Sequence, residues 1–144
     1  MITTVEKVIF LQEVDIFELL TTEDLSHIAA ICDEITVSQD AVLYKEGAYP
    51  DSMYLVLSGQ IRLHQSGTEV MIAGRNDAFG TWALFDDQPR VVTAEALEES
   101  RMLRIDKEDF IDVLSENVRV MQGILKALVQ RMHSLVSRVS QSQD

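Results

Sequence analysis

The stretch Phe79-Gly80-Thr81-Trp82-Ala83-Leu84-Phe85-Asp86-Asp87-Gln88-Pro89-Arg90-Val91-Val92-Thr93 decides how this chain is read. It runs from a strand end through a glycine into one short helical turn, then a loop, then an arginine leading into a β-branched strand. A small anion suits such an arrangement, because helix-start N–H groups point at it and a guanidinium neutralises it. Arg90 has a competing use in the same stretch, as the ion-pair partner of Asp86 or Asp87.

Short strands surround this segment. From Glu34 to Asp106 the pattern predicts strands at Ile35–Val37, Val42–Tyr44, Met53–Leu57, Gln60–His64, Glu69–Ala73, Val91–Ala96 and Arg101–Ile105. Gly47, Pro50-Asp51, Ser58-Gly59, Ser66-Gly67 and Gly74 break them. Strands this short and this frequent imply a sandwich or barrel, since a parallel sheet needs helical crossovers. Gln60-Ile61-Arg62-Leu63-His64 alternates, so one face is buried and the other solvated. Met53-Tyr54-Leu55-Val56-Leu57 is apolar on both faces. One face is expected to line the barrel and the other to lie under a flanking helix.

Helical periodicity lies at both ends. Residues 5–12 and 22–32 carry apolar residues at helical spacing, with Thr21 as N-cap and Asp24 three residues on. Cys32 falls on the apolar stripe of that second segment, which predicts a packed thiol. Asp106 is a plausible N-cap for 107–115, and Asn117 for a longer helix. In that last helix Val118, Met121, Leu125, Leu128, Met132, Leu135 and Val139 follow alternating steps of three and four, a coiled-coil seam. Val120, Ile124, Val129 and Val136 widen the stripe, so the helix is expected to meet both its own barrel and another helix. Ser140 to Asp144 reads as a disordered tail.

Composition narrows the function. The 144 residues suffice for one domain, 1–144, with helices at about 5–32, a barrel at about 34–106 and C-terminal helices at about 107–139. One cysteine excludes an intrachain disulfide framework and a four-cysteine metal site, and fits a reducing cytoplasm. The apolar runs are too short to cross a membrane, and acidic Glu6, Glu13 and Asp15 interrupt any signal peptide. Residues 1–116 carry 23 acids and 8 bases (−15), and 117–144 carry one acid and four bases (+3), which sum to −12. An acidic body repels phosphate backbones and anionic lipid, so neither direct nucleic-acid binding nor membrane insertion is expected. His27, His64 and His133 are scattered, and no nucleophile or glycine-lysine motif appears. No enzyme, metal or cofactor is expected.

The opening stretch resembles the phosphate-binding cassette of cyclic nucleotide-binding domains, the family of the catabolite activator protein and protein kinase A regulatory subunits. A second block, Glu46 to Leu63, resembles the family's glycine turn, acidic-x-aromatic strand and Ser-Gly hairpin. There Gly47 and Gly59 would occupy positions needing positive φ or close backbone approach. The likeness spans roughly residues 10–135. It implies a mainly β jelly-roll barrel with flanking helices. It also implies a ligand, cAMP or cGMP, held by Gly80, Thr81, Trp82, Ala83, Leu84, Arg90 and Val91. Arg90 would take the cyclic phosphate, and backbone donors at Gly80, Ala83 and Leu84 would cradle it.

Three positions depart from the family pattern. Thr81 stands where a glutamate normally accepts from the ribose 2′-hydroxyl. Losing a charged hydrogen bond costs roughly 1.5–3 kcal/mol, about tenfold to hundredfold in affinity. Val91 replaces a small or hydroxylated residue. Trp82 either stacks on a base or plugs the pocket. The resemblance therefore implies a regulatory domain that binds cyclic nucleotide weakly and signals through its C-terminal helices to an attached effector or partner, while the helix over 118–139 is expected to form a homodimer. The alternative is a degenerate domain used for dimerisation or docking. A regulator of the catabolite activator type would add a helix-turn-helix after the long helix, which these residues do not include.

Overall fold

The computed structural model describes residues 1–142, with side chains described through Val139. Two helices open the chain, α1 (Thr4–Leu11) and α2 (Thr22–Ala29), with a 3₁₀ turn at Asp15–Phe17 between them. Both start with a reciprocal capping box, Thr3 with Glu6 and Thr21 with Asp24, which satisfies two otherwise orphaned amides at each helix start. The expected helix over 22–32 stops early. Cys32 is the first residue of β1 (Cys32–Val37), paired with Ile105, because Cys32-Asp33-Glu34-Ile35 continues a ladder that a helix would forfeit. Its thiol is still buried, donating to the Ile28 carbonyl.

The barrel is built from β1, β2 (Val42–Tyr44), β3 (Ser52–Ser58), β4 (Ile61–Gln65), β5 (Thr68–Ala73), β6 (Ala78–Phe79), β7 (Thr93–Ala96) and β8 (Ser100–Asp106). They form two antiparallel four-stranded sheets, ordered β1-β8-β3-β6 and β2-β7-β4-β5. This is the expected jelly roll. β7 begins at Thr93 rather than Val91, and the two-residue β6, which pairs with β3 through Tyr54 and Leu55, has no periodicity to betray it.

β3 divides the core in two, as its doubly apolar sequence requires. Met53, Leu55 and Leu57 join Phe17, Leu25, Ile28 and Phe110 in a layer under the helices. Tyr54 and Val56 face Ile61, Leu63, Phe79 and Met102 inside the barrel. Gly59 has φ +102°, and a β-carbon there would overlap Ser100, so the Ser-Gly turn requires glycine.

Two helices close the chain, α3 (Lys107–Glu116) and α4 (Val118–Ser142). Asp106 caps α3 by accepting from Glu108 N–H. Asn117 works at the junction: its side-chain amide donates to the Val113 carbonyl, closing α3, while its own carbonyl receives the first α4 amides. Val120, Ile124 and Ala127 bury the first turns of α4. Gly123 allows Leu20 to sit within 2.5 Å of where a β-carbon would be. Val129 and Val136, expected to extend the stripe onto the barrel, are exposed instead. α4 also runs on to Ser142, into the segment read as a disordered tail; Gln143 and Asp144 lie outside the described residues.

Candidate functional site

β6 ends at Phe79 and the chain turns at Gly80, whose φ of +72° is a left-handed conformation that glycine adopts without strain. Thr81–Leu84 then form a single 3₁₀ turn. The loop returns to Arg90, whose N–H donates to the Ala48 carbonyl and whose carbonyl accepts from Gly47 N–H. The glycine turn of the second sequence block therefore holds the arginine's backbone in place.

Arg90 points inward, its side chain only 5% exposed. One amino group, Nη2, donates to the Ser52 carbonyl at 2.6 Å and lies 3.4 Å from Asp51 Oδ1. The guanidinium sits 3.9 Å from the centre of the Tyr44 ring, a cation–π contact. Nε is buried without a partner. The ion-pair alternative is thus realised with a different acid. Asp51, not Asp86 or Asp87, lies beside Arg90, and Asp51 is shared with Arg104 at 3.6 Å.

Asp86 and Asp87 serve Lys107 instead. Lys107 Nζ donates to the Asp86 carbonyl and to Asp87 Oδ1, both at 2.6 Å, and its backbone N–H donates to the Asp51 carbonyl. The hydrogen bond to Asp87 raises the Lys107 pKa against the opposing effect of burial, so the ammonium stays charged. Phe85 meets Phe110 edge to face at 5.8 Å, adding an apolar tie between this loop and α3.

A cavity of about 450 Å³ opens in front of Arg90. Gly80, Thr81, Trp82, Ala83, Arg90 and Val91 line it, so six of the seven sequence-predicted site residues come together. Leu84 does not join them: its side chain packs into the layer under the helices. The Ala83 N–H is likewise engaged, donating to the Gly80 carbonyl, so it is no free ligand donor. Trp82 is 76% exposed at the rim and does not plug the barrel. Burial pushes the Tyr44 phenol up to about 12, against the pull of the Arg90 charge, so it remains a neutral hydroxyl at the cavity wall.

Sequence reasoning missed Tyr44, Asp51, Ser52 and Lys107. Asp51 was visible as part of a turn, and Lys107 as the first residue of a helix. Neither position carries a local signal that it meets a loop some twenty to forty residues away.

Among curated proteins, the chain is 30% identical over 115 residues to a cAMP-dependent protein kinase regulatory subunit from Emericella nidulans, covering 78% of this chain and 28% of that protein. It is 25% identical over 119 residues to lysophospholipase nte1 from Aspergillus fumigatus, covering 79% of this chain but 8% of the relative. The chain thus spans less than a third of the length of these relatives. Among solved structures, the N-terminal domain of a transcriptional regulator from Streptomyces coelicolor A3(2) is 26% identical with a TM-score of 0.82, covering 88% of this chain and 94% of that one. The sensor domain of the transcriptional regulator DNR from Pseudomonas aeruginosa, at 22% identity and a TM-score of 0.72 over 93% of each chain, shares the fold. The family model described as the cyclic nucleotide-binding domain matches residues 34–117, from within β1 to the end of α3, and the chain belongs to that family.

Proposed function

We propose that this chain is a regulatory ligand-sensing domain that takes a small anion on Arg90, binds cAMP or cGMP weakly, and passes occupancy to its C-terminal helices. The observation that carries this reading is the buried guanidinium with an unpartnered Nε at the wall of a 450 Å³ cavity. A buried donor without an acceptor is costly, and an anion that turned the guanidinium from Asp51 and Ser52 toward the cavity would supply one. Glycines at 47 and 80 and the Tyr44 ring hold the arginine ready.

Transmission has a physical route. Asp51 touches Arg90 with its side chain and the start of α3 with its carbonyl, while Lys107 ties the same helix start to the cassette loop. An anion that draws Arg90 away from Asp51 and Ser52 would disturb both ties at once. α3 and α4 would then move against the barrel, signalling to an attached effector or to a second copy bound along residues 118–139.

The exposed seam of α4 supports a second reading, a docking or dimerisation domain that binds no nucleotide. Calorimetric titration with cAMP and cGMP separates the two. We expect a dissociation constant in the micromolar range or weaker, abolished by Arg90→Ala. Tight binding unchanged by Arg90→Ala would move the site elsewhere, and no heat with either nucleotide favours the docking reading.

A further inference from the structure

We infer that the cavity is built for a monoanion with an apolar body, an aromatic or alkyl carboxylate or sulfonate, in preference to a cyclic nucleotide. The inference rests on the reading of this cavity as the ligand site and names what it takes.

Arg90 provides one charge, and its environment limits what else a ligand can bring. Nη2 is committed to Ser52, and the guanidinium face is covered by Tyr44. That leaves Nε, buried and without a partner, and Nη1, which lies beside Gly80. One cation suits one anionic group, and a domain of net charge −12 disfavours polyanions; a cyclic phosphate is also a monoanion, so the body of the ligand decides between the two.

Beyond Arg90 the walls are mostly apolar, with Leu63, Val70, Met71, Phe79, Val91 and Val92, and their polar side chains are Tyr44, Thr81, Asp86 and Gln88. Among the described residues, Asp86 is the only carboxylate lining the cavity, and its Oδ1 already accepts from Gln88 N–H. A ribose hydroxyl and an amino-substituted base entering here would leave water for a mostly apolar wall, with the Tyr44 and Thr81 hydroxyls, the Gln88 amide and Asp86 as the side-chain acceptors. Buried donors left unpaired weaken binding. A hydrocarbon or ring body leaves no such groups unpaired and gains from every apolar wall it covers. Sites of this kind, mostly apolar with a few placed polar groups, fix a ligand by its charged end.

The test is calorimetry on the full chain with naphthalene-2-carboxylate, octanoate and cAMP, each against wild type and Arg90→Met, with methyl naphthalene-2-carboxylate as the uncharged control. We expect one of the two carboxylates to bind at least tenfold more tightly than cAMP, at one per chain. We also expect that binding to fall at least tenfold in Arg90→Met and for the ester. Arg90-dependent binding of cAMP that is tighter than both carboxylates overturns this inference and leaves the proposed function standing. Binding of acid and ester with equal affinity overturns it too, because an uncharged body would then suffice. If neither nucleotide nor carboxylate depends on Arg90, both this inference and the proposed site fall. Should Arg90→Met fail to melt cooperatively, the comparison of acid and ester on wild type decides alone.

Discussion

Gly80 stands directly against Arg90: a β-carbon on the glycine would lie 2.8 Å from the arginine's Nη1 and 3.3 Å from the Ser52 carbonyl that the same guanidinium holds. Turn and arginine therefore form one unit. Gly80→Ala would force a left-handed backbone onto an L-residue, costing about 1–2 kcal/mol, and would push against the guanidinium besides. We expect a stability loss of about that size by denaturant melts and a larger proportional loss of ligand binding. A Gly80→Ala variant that bound as well as wild type would show that the contact has no bearing on the site.

Thr81 lines two spaces, the cavity before Arg90 and a cleft of about 370 Å³ shared with Asp15, Leu128 and Arg131. Thr81→Glu would introduce an acceptor for a sugar hydroxyl, and a charged hydrogen bond is worth roughly 1.5–3 kcal/mol. Cyclic nucleotide affinity is expected to rise about tenfold or more in a calorimetric titration. The new carboxylate has a competing partner in Arg131. If the single variant shows no gain, Thr81→Glu with Arg131→Gln should recover it; failure of both would mean that the turn does not present position 81 to the ligand.

Cys32 is buried at the start of β1, and burial pushes its thiol up to about 12, with Lys7 pulling down and Asp33 adding to the rise. The native state keeps its proton in a range where an unfolded cysteine, with a pKa of about 8.5, has lost it. This contribution is fully present below the unfolded value and is lost as pH rises toward 12. A thiol-disulfide reagent at pH 8 should therefore react with the native chain only as fast as the chain opens. Cys32→Val should flatten the loss of stability between about pH 9 and 11; an unchanged slope there assigns the alkaline limb to other groups.

Much of the fold was legible because burial imposes a period. β3 announced its two-sided burial through five consecutive apolar residues, and Thr21 and Asp106 announced helix starts through capping chemistry. β6 was not legible: two residues have no period, and only pairing with Tyr54 and Leu55 makes them a strand. Cys32 misled because a helical stripe and the first residue of a strand both want a small apolar side chain. At the site, Arg90 and Gly80 could be read from a motif. The exchange of partners could not, since whether Arg90 meets Asp51 or Asp87 depends on how β3 and the cassette loop pack. Charge and spacing along the chain leave both open.

The 25 residues of α4 span about 37 Å at about 1.5 Å per residue, and the body covers only the first turns. Met121, Leu125, Met132, Leu135 and Val139 are exposed along one seam, with Met132 at 65% and Leu135 at 58%. A stripe of that extent favours burial against a second helix, and a two-fold pairing of identical seams meets the need. Arg119, Lys126 and Arg138 flank the seam, so like charges oppose pairing, whereas Arg131 is bound to Asp15 at 3.0 Å. Salt screens the repulsion, so the dimer is expected to be modest and weaker at low ionic strength. Leu135→Asp is the cleaner probe, because Leu128 also packs against the domain's own core and its loss would confound folding with association. Sedimentation equilibrium should return a dimer for wild type and a monomer for Leu135→Asp with unchanged thermal stability of the barrel. A wild-type chain that stays monomeric at high micromolar concentration in moderate salt would rule the pairing out.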